Sequence, residues 1–576
     1  MQRPLLEIIE LVTTFNTPQG PVDALHHISF SIGEGKTVGV VGESGSGKSV
    51  TSLSTMRLIP DPPGKITHGS ILYHDRSGNT VDLATLDEGL MRKYRGNEIA
   101  MIFQEPMTSL NPVMTCGLQV IEALMVHKQL DKNAAYAQTL ALFNKVELPV
   151  PEQMMERYPH QLSGGQKQRV MIAMAMACNP RLLIADEPTT ALDVTVQKHI
   201  LQLMKQLQAE NGMGILFITH DLGVVAELAD EVVVMYKGTI VESGPVMQVF
   251  NNPSHPYTKS LLACRPPADV RLQHLPTVSD FMNAAAEGTE VKPPVITASQ
   301  RKSAHEKLYN GPKLIEVRNL NTWYPSKKSF LGKTLDYFKA VNGVSFDVYQ
   351  GETIGLVGES GCGKSTLGRT LLRLTTPTSG EILYNGTDIL RLSEKEFQPY
   401  RKKMQLIFQD PYSSLNPGLT VGQAIAEPML VHAIGKNKKA REEKVKYLLN
   451  RVGLLPEHFN RYPHQFSGGQ RQRIVIARAL AVEPEFIVCD ESVSALDVSV
   501  QAQVLNLLNE LKEEFKFTSI FISHDLGVVK YMSDRMLVMQ KGIIEEQGDP
   551  DIIYKNPKSP YTARLIASIP TLEPVR

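Results

Sequence analysis

The sequence predicts an α/β fold that is built twice along one chain of 576 residues. Two observations predict the duplication: "YPHQLSGGQKQR" from Tyr158 recurs as "YPHQFSGGQRQR" from Tyr462, and "FITHDLGVV" recurs as "FISHDLGVV", each 304 positions later. A third predicts the class, because short apolar runs such as "KTVGVV" and "ETIGLV" alternate with helical patterns, as buried parallel strands do. A chain of this length is also too long for a single core.

The composition is that of an ordinary globular protein. Lys plus Arg equals Asp plus Glu, 60 against 60, so no bulk charge points to nucleic acid or to an anionic membrane. The five cysteines are scattered without a CxxC pair, which disfavours a disulfide framework or a zinc ribbon and fits a reducing cytosol. The apolar run "VMIAMAMAC" has about half the length of a membrane span, roughly 18 residues, so we expect no span.

The repeat predicts three segments. A first domain covers 1–265, a linker covers 266–312, and a second domain covers 313–576. The linker is assigned from its proline, alanine and polar residues, with room for one short helix.

Each domain contains a glycine-rich loop between a strand and a helix, "GESGSGKS" and "GESGCGKS". The backbone N–H groups of such a loop cradle phosphate oxygens, while Lys48 and Lys364 are predicted to contact the β- and γ-phosphates, and Ser49 and Ser365 to place a hydroxyl on Mg²⁺. One such pattern arises by chance in about a few chains per hundred, but two in the right context do not. The predicted nucleotide-binding residues are Gly42, Glu43, Ser44, Gly45, Ser46, Gly47, Lys48 and Ser49, with Gly358, Glu359, Ser360, Gly361, Cys362, Gly363, Lys364 and Ser365.

A pair of acids ends a strand-like run in each domain, in "LLIADE" and "FIVCDE". Asp186 and Asp490 are predicted to hold Mg²⁺, directly or through water, and Glu187 and Glu491 to polarise the water that attacks the γ-phosphate. A single Asp–Glu pair is more often a solvated strand end. Its repetition at a matching place after a phosphate loop favours the catalytic interpretation.

His220, His524, Gln104 and Gln409 each follow a strand-like run. A lone histidine there is more often structural, but these imidazoles are predicted to contact the γ-phosphate and hold the attacking water in line. The glutamines are predicted to reach the metal and the water, and to move when the γ-phosphate leaves.

An aromatic residue ends the first strand of each domain. Phe15 and Tyr324 are predicted to stack on adenine, although a core or hairpin role is about as common. Trp323 is adjacent to Tyr324, so the second assignment is open by one residue.

Together these motifs resemble the ATP-binding subunits of ATP-binding cassette (ABC) transporters. The resemblance implies two tandem P-loop NTPase ABC cassettes, each a RecA-like core with an antiparallel β subdomain and a helical subdomain. "SGGQ" is the family's signature, and "ALD" at 191–193 and 495–497 its D-loop. In that family the signature of one cassette closes over the ATP held by the other. This implies that Ser163, Gly164, Gly165 and Gln166 face the nucleotide on Lys364, and that Ser467, Gly468, Gly469 and Gln470 face the one on Lys48.

A narrower resemblance comes from "FQEPMTSLNP", "FQDPYSSLNP", "HPYTKSLL" and "SPYTARLI". These segments are similar to the oligopeptide/dipeptide importer branch, which includes nickel and glutathione importers and fused two-cassette ATPases. The resemblance implies ATP and Mg²⁺ as cofactors, two integral-membrane permease subunits as partners, and indirectly an extracytoplasmic solute-binding protein. It implies a peripheral protein on the cytoplasmic face of a bacterial inner membrane.

Two departures from the branch and one alternative function remain. Some members carry a cysteine cluster after the HPYT segment, whereas this chain has Cys264 alone there, so no iron–sulfur cluster is expected. Ser492 replaces the usual proline after the second Asp–Glu pair, which allows the two sites to differ. The alternative is a soluble tandem ATPase acting on ribosomes or DNA, which the neutral net charge disfavours. The sequence of an ATPase subunit does not identify the cargo that the transporter carries.

Overall fold

The computed structural model describes residues 4–104, 109–189, 192–267, 269–328, 334–494 and 496–569. The chain divides into two compact units, each containing one copy of the duplicated sequence. The first unit comprises the described residues up to Leu262 together with Phe281–Thr289, and the second comprises Ala263–Asp280 together with Glu290–Ile569.

Ten strands of the first unit form two sheets. An antiparallel sheet has the order β2-β1-β4-β5, with β1 at Leu6–Thr17, β2 at Gly20–Ile32, β4 at Gly64–His74 and β5 at Thr80–Asp82. A six-stranded sheet has the order β10-β9-β3-β8-β7-β6, with β3 at Thr37–Val41, β6 at Ile99–Ile102, β7 at Leu182–Asp186, β8 at Gly214–Ile218, β9 at Glu231–Tyr236 and β10 at Thr239–Pro245. Its strands are parallel except for β10, which pairs antiparallel with β9.

The described helices of the first unit follow the phosphate loop, fill the segment between β6 and β7, or flank the last strands. They are α1 Lys48–Thr55, α2 Glu88–Tyr94, α3 Cys116–Lys128, α4 Lys132–Lys145, α5 Pro151–Glu156, α6 Gly164–Met176, α7 Val194–Asn211, α8 Leu222–Leu228, α9 Val246–Asn251 and α10 Pro256–Ala263.

The predicted linker contains two helices, α11 at Val278–Glu287 and α12 at Ala298–Tyr309. The second unit then repeats the two sheets, in the orders β12-β11-β14-β15 and β16-β17-β18-β13-β19-β20. Its strands are β11 Lys313–Lys328, β12 Thr334–Tyr349, β13 Thr353–Val357, β14 Ser379–Tyr384, β15 Thr387–Asp388, β16 Met404–Ile407, β17 Phe486–Asp490, β18 Thr518–Ile522, β19 Arg535–Gln540 and β20 Ile543–Gly548. Its further helices are α13 Lys364–Leu371, α14 Glu394–Lys403, α15 Val421–Val431, α16 Lys438–Arg451, α17 Gly468–Leu480, α18 Val498–Phe515, α19 Leu526–Met532, α20 Pro550–Lys555 and α21 Pro560–Ala567.

The six-stranded sheet of the first unit is buried on both faces. Leu182 and Ile184 of β7 pack in a core shared with the antiparallel sheet, whereas Leu183 and Ala185 pack in a core shared with α3, α6 and α7. Alternate side chains of a strand point to opposite faces, so the uninterrupted apolar run of β7 places one set in each core. The predicted arrangement of a central sheet with an antiparallel β subdomain and a helical subdomain is confirmed.

Most of the predicted linker packs on the second unit. The backbone N–H of Leu275 donates to Oδ1 of Asn506 (2.9 Å), and Nδ2 of Asn506 donates back to the carbonyl of Leu275 (2.8 Å). Arg271 donates to the carbonyls of Tyr531 and Ser533, at the end of α19. These contacts show that an extended segment is held by specific long-range partners in α18 and α19. The single-residue domain boundaries stay predictions.

No helix among the described residues combines the length and the apolar character that crossing a membrane requires.

Asn506→Ala is expected to release the linker segment around Leu275 from the second unit. The substitution leaves the buried N–H and C=O of Leu275 without their partners, which costs about 1–3 kcal/mol of local stability. Hydrogen exchange and limited proteolysis of residues 270–277 measure the release. Gln202→Ala is the matched control, because Gln202 occupies the equivalent position of α7 and is exposed; unchanged protection in Asn506→Ala would contradict the docking.

Candidate nucleotide sites

The two phosphate loops have the same backbone. Each loop joins a fully buried strand, β3 or β13, to the first turn of α1 or α13. The last glycine of each loop precedes the helix with a positive φ, 104° at Gly47 and 112° at Gly363. A Cβ at Gly363 would lie 1.9 Å from the carbonyl oxygen of Ala340, so only glycine fits this turn.

The lysine of each loop is buried and turned onto the loop itself. Nζ of Lys48 donates to the carbonyls of Gly42 (2.7 Å) and Glu43 (2.9 Å). Nζ of Lys364 donates to the carbonyls of Gly358 (2.8 Å) and Glu359 (2.9 Å). Each ammonium group therefore lies against two consecutive carbonyls of its own loop, and its contact with phosphate stays a prediction.

The hydroxyl after each lysine contacts the aspartate that ends the neighbouring acidic strand. Oγ of Ser49 donates to Oδ1 of Asp186 (3.2 Å), and Oγ of Ser365 donates to Oδ1 of Asp490 (2.8 Å). Where a protein binds Mg²⁺ together with phosphates, a hydroxyl oxygen and a carboxylate oxygen are suitable protein ligands for the metal. The donor set thus fits the predicted metal.

The two aspartates differ in their second partner. Ser52 donates to Oδ2 of Asp186 (3.1 Å), whereas Gly368 occupies the equivalent position of α13 and carries no hydroxyl. Burial raises the pKa of Asp186, and the hydroxyls of Ser49 and Ser52 oppose the shift. Burial also raises the pKa of Asp490, opposed by Ser365 and by the charge of Arg369. Sequence reasoning missed Ser52, because a polar residue on a helix carries no local signal of a distant partner.

The glutamates that follow these aspartates have left-handed backbone, with φ of 49° at Glu187 and 48° at Glu491. Such a φ is uncommon outside glycine. Their backbone N–H groups donate to the carbonyls of Ile218 and Ile522 (2.9 and 3.0 Å), which hold each turn against the next strand. Ser492 replaces Pro188 without changing this turn.

Each glutamate meets the predicted glutamine and histidine of its own unit. Nε2 of Gln104 donates to Oε2 of Glu187 (3.2 Å), and Nδ1 of His220 lies 3.4 Å from the same oxygen. In the second unit the distances to Oε2 of Glu491 are 2.8 Å from Nε2 of Gln409 and 3.7 Å from Nδ1 of His524. Three side chains from three different strand ends therefore converge in each unit.

The local charges keep Glu491 ionised. Burial acts to raise its pKa, but the hydrogen bond and charge of His524 and the charge of Lys364 outweigh it, so that the pKa lies below its ordinary value. Nζ of Lys364 lies 4.0 Å from Oε1 of Glu491. An ionised carboxylate beside an imidazole is suited to accept a proton from water.

The two signature loops begin helices α6 and α17. Ser163 caps α6, since its Oγ accepts from the N–H of Gln166 while Oε1 of Gln166 accepts from the N–H of Ser163 (3.0 Å). Ser467 and Gln470 repeat this capping box. Its geometry leaves Ser163 and Ser467 exposed.

Packing explains only one of the two signature glycines. A Cβ at Gly165 would lie 2.9 Å from Val196, and one at Gly469 would lie 2.4 Å from Val500. A Cβ at Gly164 would meet its nearest neighbour at 3.9 Å, an ordinary contact. Among the described residues of its own unit, the first glycine thus has no close neighbour that requires glycine, and its contact with nucleotide stays a prediction. The D-loop residues Ala191 and Ala495 lie outside the described residues.

Strand register settles which aromatic of the second unit matches Phe15. Leu6 pairs with Tyr73 in the first unit, and Ile315 pairs with Tyr384 in the second. Counting along β1 and β11 from these pairs places Tyr324, rather than Trp323, at the position of Phe15. Tyr324 is 42% exposed, and its stacking on adenine stays a prediction.

One further contact with the phosphate loops was not predicted. The hydroxyls of Tyr257 and Tyr561 accept hydrogen bonds from the backbone N–H groups of Glu43 (2.9 Å) and Glu359 (3.0 Å). Both tyrosines belong to the repeated "PYT" segments. That repetition was the available signal, but it does not reveal the partner.

Two family models match this chain. The model described as "ABC transporter" matches residues 25–190 and 341–494. The model described as "Oligopeptide/dipeptide transporter, C-terminal region" matches residues 241–288 and 545–576.

Curated relatives match over the full length. A protein named "Glutathione import ATP-binding protein GsiA" from Pectobacterium atrosepticum is 47% identical over 100% of this chain and 91% of its own length. The protein of the same name from Escherichia coli (strain K12) is 48% identical over 99% of this chain and 90% of its own length. Among solved structures, a dimer of the ATP-binding cassette MJ0796 bound to ADP and Pi covers 41% of this chain and 98% of that chain, with 27% identity and a TM-score of 0.37.

Motifs, paired sites and full-length relatives agree, and the chain belongs to the ABC transporter family as an ATP-binding protein with two cassettes.

Proposed function

We propose that this protein hydrolyses ATP at two sites to drive the import of peptides, in the class of glutathione, dipeptides and oligopeptides, through a bacterial membrane transporter. The observation that carries the proposal is the full-length match to import ATP-binding proteins, together with both copies of the oligopeptide/dipeptide C-terminal region. The cargo itself is selected by the permease and the binding protein.

Hydrolysis follows from the side chains around each loop. The carboxylate of Glu187 or Glu491 accepts a proton from the attacking water, and His220 or His524 holds that water in line with the γ-phosphate. Gln104 and Gln409 are hydrogen-bonded to the glutamates. Their side chains move when the γ-phosphate leaves. Phe15 and Tyr324 stack on adenine.

Magnesium is the metal that we propose for both sites. Ser49, Asp186 and Gln104 would hold it in the first unit, and Ser365, Asp490 and Gln409 in the second. When bound, Mg²⁺ neutralises charge on the β- and γ-phosphates.

We propose that the two ATP sites are composite. The signature Ser163–Gly165 then completes the site on Lys364, and Ser467–Gly469 completes the site on Lys48. The exposed serines at the starts of α6 and α17 support this, because the N-terminus of a helix favours an anion. ATP thereby joins the two cassettes, and hydrolysis separates them.

The partners that we propose are two integral-membrane permease subunits, with an extracytoplasmic solute-binding protein acting through them on the far side. The chain would then lie on the cytoplasmic face of the inner membrane. A cavity of about 280 Å³ beside the glutamine loop of the second unit, with Arg401, His432 and Arg478 among its lining residues, is the place that we propose for contact with a permease. Its lining includes Phe397, Leu406, Phe408, Pro428 and Val475.

Peptide uptake into proteoliposomes tests the function directly. The full chain, reconstituted with two candidate permease subunits and a candidate solute-binding protein, is expected to support ATP-dependent uptake of at least one of glutathione, dipeptides, tripeptides or oligopeptides. Lys48→Ala/Lys364→Ala, which lacks both phosphate-binding lysines, is the control. Absence of any peptide uptake, with ATPase activity stimulated by ribosomes or DNA instead, would overturn the proposal.

Glu187→Gln is expected to trap ATP at the first site and stop transport. The amide keeps the size of the side chain but cannot accept a proton from water, so turnover falls by about a hundredfold or more. Single-turnover hydrolysis and nucleotide trapping measure the effect. Glu491→Gln is the matched variant for the second site, and undiminished uptake with Glu187→Gln would refute the role of Glu187.

Ser467→Arg is expected to disable the site built on Lys48 and to spare the site on Lys364. The bulky cation obstructs closure over the opposite nucleotide, lowering trapping there by about tenfold or more. Photolabelling with an azido-ATP, followed by cleavage between the units, reports each site separately. Ser163→Arg should give the reverse pattern, and loss at Lys364 alone in Ser467→Arg would contradict the crossed pairing.

A further inference from the structure

A buried tyrosine in each C-terminal segment contacts the phosphate loop of the same unit. Tyr257 of α10 is fully buried and Tyr561 of α21 is 4% exposed. The hydroxyl of Tyr257 accepts from the N–H of Glu43, and that of Tyr561 accepts from the N–H of Glu359. The partners are 214 and 202 residues apart in sequence. The same contact is present in both copies of the duplicated sequence, so it is a feature of the repeated unit.

The tyrosine and the lysine hold the same peptide unit of the loop. In the first unit, the Gly42–Glu43 peptide accepts from Nζ of Lys48 at its carbonyl (2.7 Å) and donates to Tyr257 from its N–H (2.9 Å). In the second unit, the Gly358–Glu359 peptide makes the same pair of bonds, 2.8 Å to Lys364 and 3.0 Å to Tyr561. The orientation of this peptide is therefore coupled to the position of the lysine side chain and to the backbone conformation at the start of the loop.

The tyrosine of the first unit is itself held in place by the last strand of the core. Oε1 of Glu242, in β10, accepts from the N–H of Ser254 (2.8 Å), and Oε2 accepts from the N–H of His255 (3.1 Å). Nδ1 of His255 then accepts from the N–H of Tyr257 (3.1 Å).

The second unit repeats this anchor. Glu546 of β20 accepts from the N–H groups of Lys558 (2.9 Å) and Ser559 (3.1 Å). Oγ of Ser559 accepts from the N–H of Tyr561 (3.2 Å). A continuous series of hydrogen bonds thus runs from the last strand to the phosphate loop in each unit.

We infer that Tyr257 and Tyr561 are positioning residues, which hold the two phosphate loops in the conformation that binds ATP. The C-terminal segment of each unit is then a working part of that unit's nucleotide site. This inference rests on the proposed binding of ATP at the two loops. The hydroxyl orders the loop before the nucleotide arrives, so that binding does not have to order it.

Removing a hydroxyl should weaken ATP binding at one site only. Tyr257→Phe keeps the buried ring and removes the acceptor for the N–H of Glu43. In a Lys364→Ala background, where only the first site binds, we expect the Kd of a fluorescent ATP analogue to rise about three- to tenfold, the range of one net hydrogen bond. Tyr561→Phe in that background should leave the Kd unchanged. In a Lys48→Ala background, where only the second site binds, Tyr561→Phe should raise the Kd and Tyr257→Phe should leave it unchanged.

A readout without nucleotide separates this inference from the proposed function. Hydrogen exchange of the loop peptide containing Glu43 should accelerate in Tyr257→Phe and not in Tyr236→Phe, whose ring packs 4.3 Å from that of Tyr257. A merely structural tyrosine would lower the Tm and leave both the Kd and the loop exchange unchanged, and that result would overturn the inference. Equal weakening at both sites would also overturn it. Failure of the two lysine backgrounds to bind ATP would instead refute the proposed function.

Discussion

Each nucleotide site depends on the parallel alignment of four neighbouring strands. In the first unit β3, β8, β7 and β6 lie side by side and run in one direction. Parallel strands present their carboxyl ends at one edge of a sheet. The phosphate loop, His220, the Asp186–Glu187 pair and Gln104 follow these four ends, and the sheet therefore gathers them although the chain separates them widely. The second unit repeats the arrangement with β13, β18, β17 and β16.

The same alignment explains how much was predictable. A motif that directly follows an apolar run marks a strand end, so Glu187 and His220 were assigned from that local pattern together with its repetition in the second half of the chain. Ser52 and Tyr257 carry no such mark, because their partners lie 134 and 214 residues away. The linker was predicted from composition, but its packing depends on Asn506, a residue of α18 that looks like any other polar helical position. Long-range hydrogen bonds decide these cases, and a single sequence does not display them.

The two copies of the duplicated sequence have the same backbone conformation around the sites but differ in some of the side chains there. Glu187 and Glu491 share one turn and one pair of partners, although Pro188 and Ser492 differ. Asp186 accepts from two hydroxyls, whereas Asp490 has Ser365 and the charge of Arg369. The described side chains around the two sites therefore differ more at Asp186 and Asp490 than at Glu187 and Glu491, which have the same glutamine and histidine partners.

One difference in side chains between the two units concerns the linker that joins them. Asn506 of the second unit is hydrogen-bonded to Leu275 of the linker, while the first unit has the longer Gln202 at that position, where it is exposed. Two copies of the first half would therefore lack the side chain to which Leu275 is hydrogen-bonded. Joining the two halves in one polypeptide fixes their stoichiometry at one of each and removes any need to sort matched from mismatched pairs during assembly.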